Sequence, residues 1–241
     1  MTSSMSGGEI MVSWTKKWLE KYGHGFWIVL YFAFYLVGFS ILENASHRHY
    51  HLIHSIVDDM IPFCKYFVVP YYLWFAYIAV VILWFVFLCK DKSEYYRMTC
   101  ALAIGMTVFL VVSCVFPNRQ DLRPANLAGT DVFTNLIRYI YNTDTPTNVL
   151  PSIHVYNSLI CAYAWRKSPQ MKKYRPVTIA SDILAVLIVL STMFIKQHSV
   201  VDVSCGILMA VAVQMFVDRV FADEPKRAPV RGVADYGNMR R

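Results

Sequence analysis

Residues 66–89 read YFVVPYYLWFAYIAVVILWFVFLC, and these 24 residues include no charged side chain. A helix needs about 20 mainly apolar residues to cross the roughly 30 Å hydrocarbon core of a bilayer. Within that core every backbone N–H and C=O group must be paired inside the protein, and a helix pairs them. The stretch therefore predicts a helix that spans a membrane.

Five further apolar runs are long enough, or nearly so, to span as well: residues 26–42, 98–116, 151–165, 176–195 and 199–221. The run at 151–165 is the shortest and contains His154 and Asn157, so its polar end should face protein or water. The pattern predicts an all-α fold, an integral membrane six-helix bundle with interfacial amphipathic helices. We expect a six-span membrane domain at 26–221, a cytoplasmic amphipathic segment at 1–25 and a flexible tail at 222–241.

The composition agrees with a membrane protein. Hydrophobic residues make up 56% of the 241-residue chain and charged residues 16%, against about 25% charged in soluble domains. The net charge is +7, but the basic residues lie between the apolar runs and form no single face, which argues against a nucleic-acid partner. The six cysteines occur singly, without CxxC spacing, so we expect neither disulfides nor cysteine metal ligands.

Lysine and arginine are divided unequally between the two sides of such a bundle. Seventeen of the 23 fall in the termini and the even-numbered connections. The other six are Arg48, Lys65, Arg119, Arg123, Arg138 and Lys196. By the positive-inside rule, this bias predicts a multi-pass protein of the cell membrane with both termini cytoplasmic. The odd-numbered loops then face the extracytoplasmic side.

Three segments have the pattern of helices that lie along a membrane interface. Residues 10–22 place Trp14, Trp18 and Tyr22 at helical spacing beside lysines, which is typical of helices on an anionic surface. Residues 47–61 and 130–141 repeat apolar pairs at helical spacing, which predicts two more such helices. Thr130 or Asp131 is the expected N-cap of the last one.

Three short polar segments interrupt the apolar pattern, at residues 119–124, 151–154 and 196–202. The first follows the third run, the second opens the fourth, and the third joins the fifth to the sixth. The predicted topology therefore places all three on the extracytoplasmic side. Ionisable groups at membrane depth are costly and usually functional, so their convergence predicts a functional site.

The segment Lys196-Gln197-His198-Ser199-Val200-Val201-Asp202 carries the most informative spacing. If the last helix begins near His198, then His198 and Asp202 share one helix face. An aspartate that accepts a hydrogen bond from one imidazole nitrogen makes the other nitrogen a better nucleophile. The helix N-terminus also offers unpaired N–H groups suited to phosphate. The alternative is a purely structural His–Asp pair.

The other two polar segments carry groups of matching chemistry. Ser152 can present its hydroxyl and its N–H group to an anion, and His154 is close enough to protonate a leaving oxygen. Arg119 and Arg123 have planar guanidinium groups that match phosphate oxygens. The alternatives are a helix-capping serine beside an interfacial histidine, and arginines that anchor on lipid headgroups.

Taken in order, Arg123-Pro124, Pro151-Ser152-x-His154 and His198-x-x-x-Asp202 resemble the three signature motifs of the type-2 phosphatidic acid phosphatase superfamily. The resemblance implies that His198 attacks phosphorus and forms a phosphohistidine, while Asp202 orients it and His154 protonates the leaving group. It also implies that Arg123 and Ser152 bind phosphate and that no metal or other cofactor is needed.

Two cations of the family pattern are missing from this chain. Phe116 stands where the first motif usually has a lysine, and Thr192 stands where the third usually has an arginine. Lys196 and Arg119 lie nearby, and we expect them to bind phosphate instead. The Lys-Gln-His form is similar to a divergent subgroup that includes transferases as well as phosphatases.

The chain is therefore expected to be a metal-independent membrane lipid phosphatase that acts on a lipid phosphate or pyrophosphate. Two alternatives stay open, namely a phosphotransferase that moves a phospho-headgroup to a lipid alcohol and a non-enzymatic protein that binds anionic lipid. The histidines at positions 47, 49, 51 and 54 lack a cysteine or acidic residue to complete a ligand set, so no metal is expected there. The pattern defines no oligomeric state.

Overall fold

The computed structural model describes residues 16–45 and 49–222, and most of this part of the chain is helical. Residues 16–22 are helical and continue through a 3-10 turn at Gly23–Gly25 into the first long helix. The elements that follow are α1 (Phe26–Glu43), β1 (His51–Leu52), α2 (Ile56–Met60), α3 (Val68–Phe87), α4 (Lys92–Val115), β2 (Asn118–Arg119), α5 (Val132–Thr143), α6 (Ile153–Lys167), α7 (Arg175–Phe194) and α8 (Val200–Ala222). Short 3-10 helices at Lys65–Phe67 and Met171–Tyr174 precede α3 and α7.

Five helical stretches within the described residues are long and apolar enough to cross a membrane. They are Lys16–Glu43, Lys65–Phe87, Lys92–Val115, Met171–Phe194 and Val200–Ala222. Each of them overlaps one of the predicted apolar runs. Large apolar side chains such as Leu30, Val115 and Leu208 are more than two-thirds exposed, as expected for a surface that faces lipid. The chain is a multi-pass membrane protein with an all-α bundle.

The remaining predicted span is α6, which differs from the other five. It has 15 residues and is about 22 Å long at 1.5 Å per residue, shorter than the roughly 30 Å hydrocarbon core. It packs against α3, α4, α7 and α8, and nine of its residues are buried. The helix is therefore the centre of the bundle, and the predicted count of six spanning helices is approximate.

Two glycines allow the neighbouring helices to approach α6 closely. A Cβ atom at Gly105 of α4 would lie 2.0 Å from Cζ of Tyr156, and one at Gly206 of α8 would lie 2.8 Å from the backbone oxygen of Ser152. Tyr156 is fully buried, and its hydroxyl donates to the backbone oxygen of Ala101 at 2.5 Å. A side chain at either position would displace α6, so the position of this helix depends on both residues being glycine.

The helix predicted at residues 130–141 is confirmed as α5. It begins after Asp131, whose carboxylate accepts a hydrogen bond from the Thr134 N–H group at 3.3 Å and one from Lys65 Nζ at 2.7 Å. Asp131 is therefore the N-cap. Of the predicted helix at 10–22, residues 10–15 lie outside the described range and residues 16–22 are helical. Most of the predicted tail, residues 223–241, lies outside it too.

The predicted helix at residues 47–61 is wrong in its extent. Only Ile56–Met60 is helical, and residues 46–48 lie outside the described range. The β1 residues pair in parallel with the β2 residues, which holds the preceding segment extended. Ser55 then starts α2 through a capping box with Asp58. The local apolar pattern did not reveal this pairing because the partner strand lies more than sixty residues away.

One end of the bundle holds all three polar segments, and we call it the site end. It contains the C-terminal ends of α4 and α7 and the N-terminal ends of α3, α6 and α8. The Ser152 N–H group donates to the backbone oxygen of Asp202 at 3.1 Å, and Gln120 Nε2 donates to the backbone oxygen of Lys196 at 3.2 Å. These bonds join the three segments, so their predicted convergence is observed.

Candidate active site

His198 and Asp202 lie together at the start of α8. His198 Nδ1 is 3.4 Å from Asp202 Oδ2, and the Ser199 N–H group donates to the same oxygen at 2.9 Å. His198 is 7% exposed and Asp202 is fully buried. The helix begins at Val200, two residues later than expected, yet the spacing of four residues still brings the pair together.

His154 lies on the first turn of α6 and faces His198. Its Nδ1 atom is 3.3 Å from His198 Nε2, the nitrogen that Asp202 leaves free. The aromatic rings of Tyr71 and Trp74 lie 4.8 and 4.4 Å from the His154 ring, between centroids, and restrict its movement. The result is a line of Asp202, His198 and His154, with the two imidazoles in direct contact.

Arg123 joins this line through Gln197. Its Nη2 atom donates to Gln197 Oε1 at 2.5 Å and to the backbone oxygen of Asp144 at 2.8 Å, and its Nη1 atom donates to the backbone oxygen of Tyr141 at 3.1 Å. Gln197 precedes His198 directly. The Nε atom of Arg123 is buried and has no partner among the described residues, so the three bonds above leave this N–H donor of the guanidinium unused.

Asp144 is a carboxylate of this site that the sequence analysis did not identify. Its Oδ2 atom lies 3.4 Å from the Tyr71 hydroxyl and accepts a hydrogen bond from Gln197 Nε2 at 3.3 Å. Burial raises the pKa of its carboxyl group, against the opposing attraction of His198 and Arg123. Its only signal in the sequence is its place just after the amphipathic pattern of α5.

Ser152 has the capping geometry that was weighed as the alternative to phosphate binding. Its hydroxyl is the N-cap of α6 and accepts from the Val155 N–H group at 3.5 Å. Its own N–H group is bonded to Asp202, as noted above, and the residue is fully buried. In this geometry Ser152 connects α6 to α8 and so sets the distance between the two histidines.

The N-terminus of α8 does not offer the unpaired N–H groups that were expected. The Val200 N–H group donates to Asp58 Oδ1 at 2.7 Å, and the Val201 N–H group donates to Ser199 Oγ at 3.1 Å. With the Ser199 N–H group bonded to Asp202, three consecutive N–H groups at the start of α8 already have protein acceptors. That expectation is therefore corrected. Asp58 was missed, although its capping-box spacing after Ser55 is visible in the sequence.

The two proposed replacements for the missing cations lie away from this line of residues. Lys196 Nζ donates to the backbone oxygens of Asp58 and Ile61 at 2.7 and 2.6 Å, and the backbone of Lys196 has a positive φ of 56°. Arg119 is exposed, and its backbone belongs to β2. The ring of Phe116, where the family lysine is missing, stacks on His51 with centroids 4.4 Å apart.

In the described part of the chain, no group of three or more histidine, cysteine, aspartate or glutamate side chains is arranged to hold a metal ion. His54 instead lies between two carboxylates, 3.3 Å from Asp121 and 3.2 Å from Asp59. These acids raise the pKa of its imidazole. It joins the α2 loop to the segment that carries Arg123.

Comparison with known proteins gives one match. The family model of the PAP2 superfamily matches residues 39–216, a range that includes the three polar segments and most of the bundle. Neither a curated protein nor a solved structure matches the chain significantly. Because the family match covers well over half of the sequence, and the motif residues meet at one end of the fold, the chain belongs to the PAP2 superfamily of phosphatase- and phosphotransferase-type membrane proteins.

Proposed function

We propose that this protein is a lipid phosphatase that works through a phosphohistidine on His198 and needs no metal ion. One observation carries the proposal: Asp202 contacts Nδ1 of His198, and the other ring nitrogen, Nε2, lies 3.3 Å from His154 Nδ1. A nucleophile, its orienting carboxylate and a proton donor are thus in contact in one buried place.

In the first step His198 Nε2 attacks phosphorus, a P–N bond forms and the P–O bond to the lipid breaks. His154 gives its proton to the departing alkoxide. In the second step water attacks phosphorus while His154 takes a proton from it, a P–O bond forms, the P–N bond to His198 breaks, and inorganic phosphate leaves. Substrate must part the two rings, because a phosphorus atom does not fit between nitrogens 3.3 Å apart.

Arg123 is the proposed main ligand of the phosphate oxygens. Its guanidinium is anchored by three acceptors and keeps Nε free, which suits a fixed charge that stabilises an anionic transition state. Ser152 takes part by holding α6 against α8. Lys196 and Arg119 are left out of the proposed ligand set because their side chains lie elsewhere.

The proposed substrate is a lipid phosphate or pyrophosphate, since the site lies at one end of a membrane bundle and the family indicates a lipid-type substrate. The lysine and arginine bias favours the cell membrane, with both termini cytoplasmic and the site end on the extracytoplasmic side. Cysteine labelling of His49→Cys, an exposed position of the site end, in sealed vesicles tests this orientation. Labelling only from the cytoplasmic side would contradict it.

A phosphotransferase is the second candidate, favoured by the Lys196-Gln197-His198 form, which is similar to the divergent subgroup that includes transferases. The same phosphohistidine, or a histidine that carries a phospho-headgroup, would then react with a lipid alcohol instead of water. Product analysis with and without added lipid alcohol separates the two. Transfer that outpaces phosphate release would replace the hydrolase proposal.

The central test is phosphate release from a panel of lipid phosphates and pyrophosphates by the purified protein, with a chelator present. His198→Ala should abolish turnover, and His154→Ala should reduce it by about 10²–10⁴-fold, the usual contribution of general acid–base catalysis. His49→Ala, at an exposed position of the same end, is the matched control. Activity lost with chelator would contradict the metal-free mechanism, and a fully active His198→Ala variant would favour a protein that only binds anionic lipid.

A further inference from the structure

Asp58 is a buried carboxylate on the short helix α2, within the loop that joins α1 to α3, and the mechanism above does not use it. It is 1% exposed. Its Oδ2 atom accepts from Ser199 Oγ at 2.6 Å and from the Ser55 N–H group at 2.8 Å, and its Oδ1 atom accepts from the Val200 N–H group at 2.7 Å. Two of these three donors directly follow the nucleophile His198 in the chain.

A charge buried this deeply is costly unless it is hydrogen-bonded. No lysine or arginine forms an ion pair with Asp58 within residues 16–45 and 49–222. Its charge is stabilised by the three donors and by the positive end of the α8 dipole. The Asp58 carboxylate therefore binds specifically to the first turn of α8.

The hydrogen bonds continue from Asp58 to the reacting nitrogen. Asp58 holds the Ser199 hydroxyl, and the Ser199 N–H group donates to Asp202 Oδ2 at 2.9 Å. That same oxygen lies 3.4 Å from His198 Nδ1. Displacement of Ser199 would therefore move Asp202 relative to the imidazole that it orients.

The same loop also holds the chain on the other side of His198. Lys196 Nζ donates to the backbone oxygens of Asp58 and Ile61, while Ser199 and Val200 bind the Asp58 carboxylate. The nucleophile is thus bracketed two residues before and one residue after by a single loop. The loop that carries Asp58, although distant in sequence, therefore determines the orientation of the His198 imidazole.

We propose that Asp58 is a positioning residue for His198, acting through Ser199 and the first turn of α8; this inference rests on the proposed function. It does not touch the substrate. Its removal should slow the attack on phosphorus and leave substrate binding by Arg123 in place, because Arg123 is anchored on α5 and Gln197.

The test compares Asp58→Asn and Asp58→Ala with wild type in the lipid phosphate assay, with activity expressed per folded molecule. We expect kcat to fall on the order of 10²-fold in Asp58→Ala, the loss that follows a misplacement of about 1 Å, with KM within about twofold of wild type. Asp58→Asn keeps one acceptor oxygen and should recover part of kcat. Asp59→Asn is the matched control, because its side chain is 64% exposed and contacts His54.

Ser199→Ala keeps the inference testable if Asp58→Ala does not fold. If Asp58 acts through Ser199, the double variant Asp58→Asn/Ser199→Ala should lose little more than the worse single variant. Losses that simply multiply would contradict the pathway through Ser199. Wild-type kcat in folded Asp58→Ala, or a rise in KM at constant kcat, would overturn the positioning role.

A readout without turnover separates this inference from the proposed function. The rate at which diethyl pyrocarbonate modifies His198, followed by mass spectrometry of its peptide, should rise in Asp58→Asn and Asp58→Ala and stay unchanged in Asp59→Asn. If wild type released no phosphate, the proposed function would fail while this rate still decided the inference. Equal rates in all four proteins would overturn it.

Discussion

Gly206 is the position where one added carbon atom should separate the two histidines. A Cβ atom there would lie 2.8 Å from the backbone oxygen of Ser152 and 3.2 Å from Cβ of Val155, whereas ordinary contacts are 3.4–4 Å. The obstructing atom belongs to the backbone and cannot rotate away. The start of α6, which carries His154, must therefore move by about 0.6 Å, the difference between 3.4 and 2.8 Å.

We expect Gly206→Ala to lower kcat for a lipid phosphate roughly tenfold, because a misplacement of about 1 Å can cost on the order of 10²-fold. KM should change less, since Arg123 is held by α5 and Gln197. The strain of an overfilled core should also destabilise the protein by about 1–3 kcal/mol. Gly23→Ala is the matched control, because nothing lies within 4 Å of a Cβ atom at that position.

The assay is phosphate release by purified variants in detergent, together with thermal unfolding of the same samples. Both glycine variants should have similar helix content. The reasoning would be refuted if Gly206→Ala matched wild type in kcat and in unfolding midpoint, because the backbone contact would then have relaxed without moving His154.

Three further predictions concern single charged residues of the site end. Arg123→Lys should reduce kcat/KM by about 10- to 100-fold, since a charged hydrogen bond contributes about 1.5–3 kcal/mol. Steady-state kinetics measure this, and an unchanged kcat/KM would remove Arg123 from the proposed site. Lys196→Met should lower the unfolding midpoint and kcat and leave KM nearly constant, because Lys196 Nζ binds the loop at Asp58. A tenfold rise in KM would instead indicate that Lys196 binds phosphate. Burial raises the pKa of Asp144 above its usual 3.8, so its protonated form favours the folded state below that pH and this stability is lost as pH rises through the folded pKa. Asp144→Asn should therefore flatten the fall in unfolding midpoint as pH rises above the usual pKa of 3.8, and an unaltered profile would contradict the shift.

Much of the fold could be predicted because hydrocarbon imposes simple requirements on sequence. Residues 66–89 and the other long runs had the length and lack of charge that a span needs, and all became helices. The run at 151–165 was shorter than the others and contained polar residues because α6 is surrounded by protein. The pattern at 130–141 was correct and the similar one at 47–61 was not, since pairing between β1 and β2 is a long-range contact that local periodicity does not report.

Site contacts could be predicted where sequence spacing alone brings two side chains together. They could not be predicted where the direction of a side chain decides what it contacts. His198 and Asp202 are four residues apart, so one turn of backbone pairs them. Lys196 Nζ binds the backbone oxygens of Asp58 and Ile61, and these contacts leave no mark on composition. Asp58 belongs to one amphipathic segment and Asp144 directly follows α5, so in the sequence both acids look like solvent-facing residues, whereas the tertiary fold buries them.

The shortness of α6 has a consequence for how a lipid reaches the histidines. Ile153, its first residue, packs in the apolar cluster that contains Phe109, while α4 continues six residues further to Val115, about 9 Å at 1.5 Å per residue. His154 follows Ile153 directly and contacts His198, so both imidazoles lie below the level at which the longer helix ends. If the substrate is a lipid phosphate, as proposed, its phosphate must pass the end of α4 to reach the histidines, and a bulky headgroup should hinder that approach.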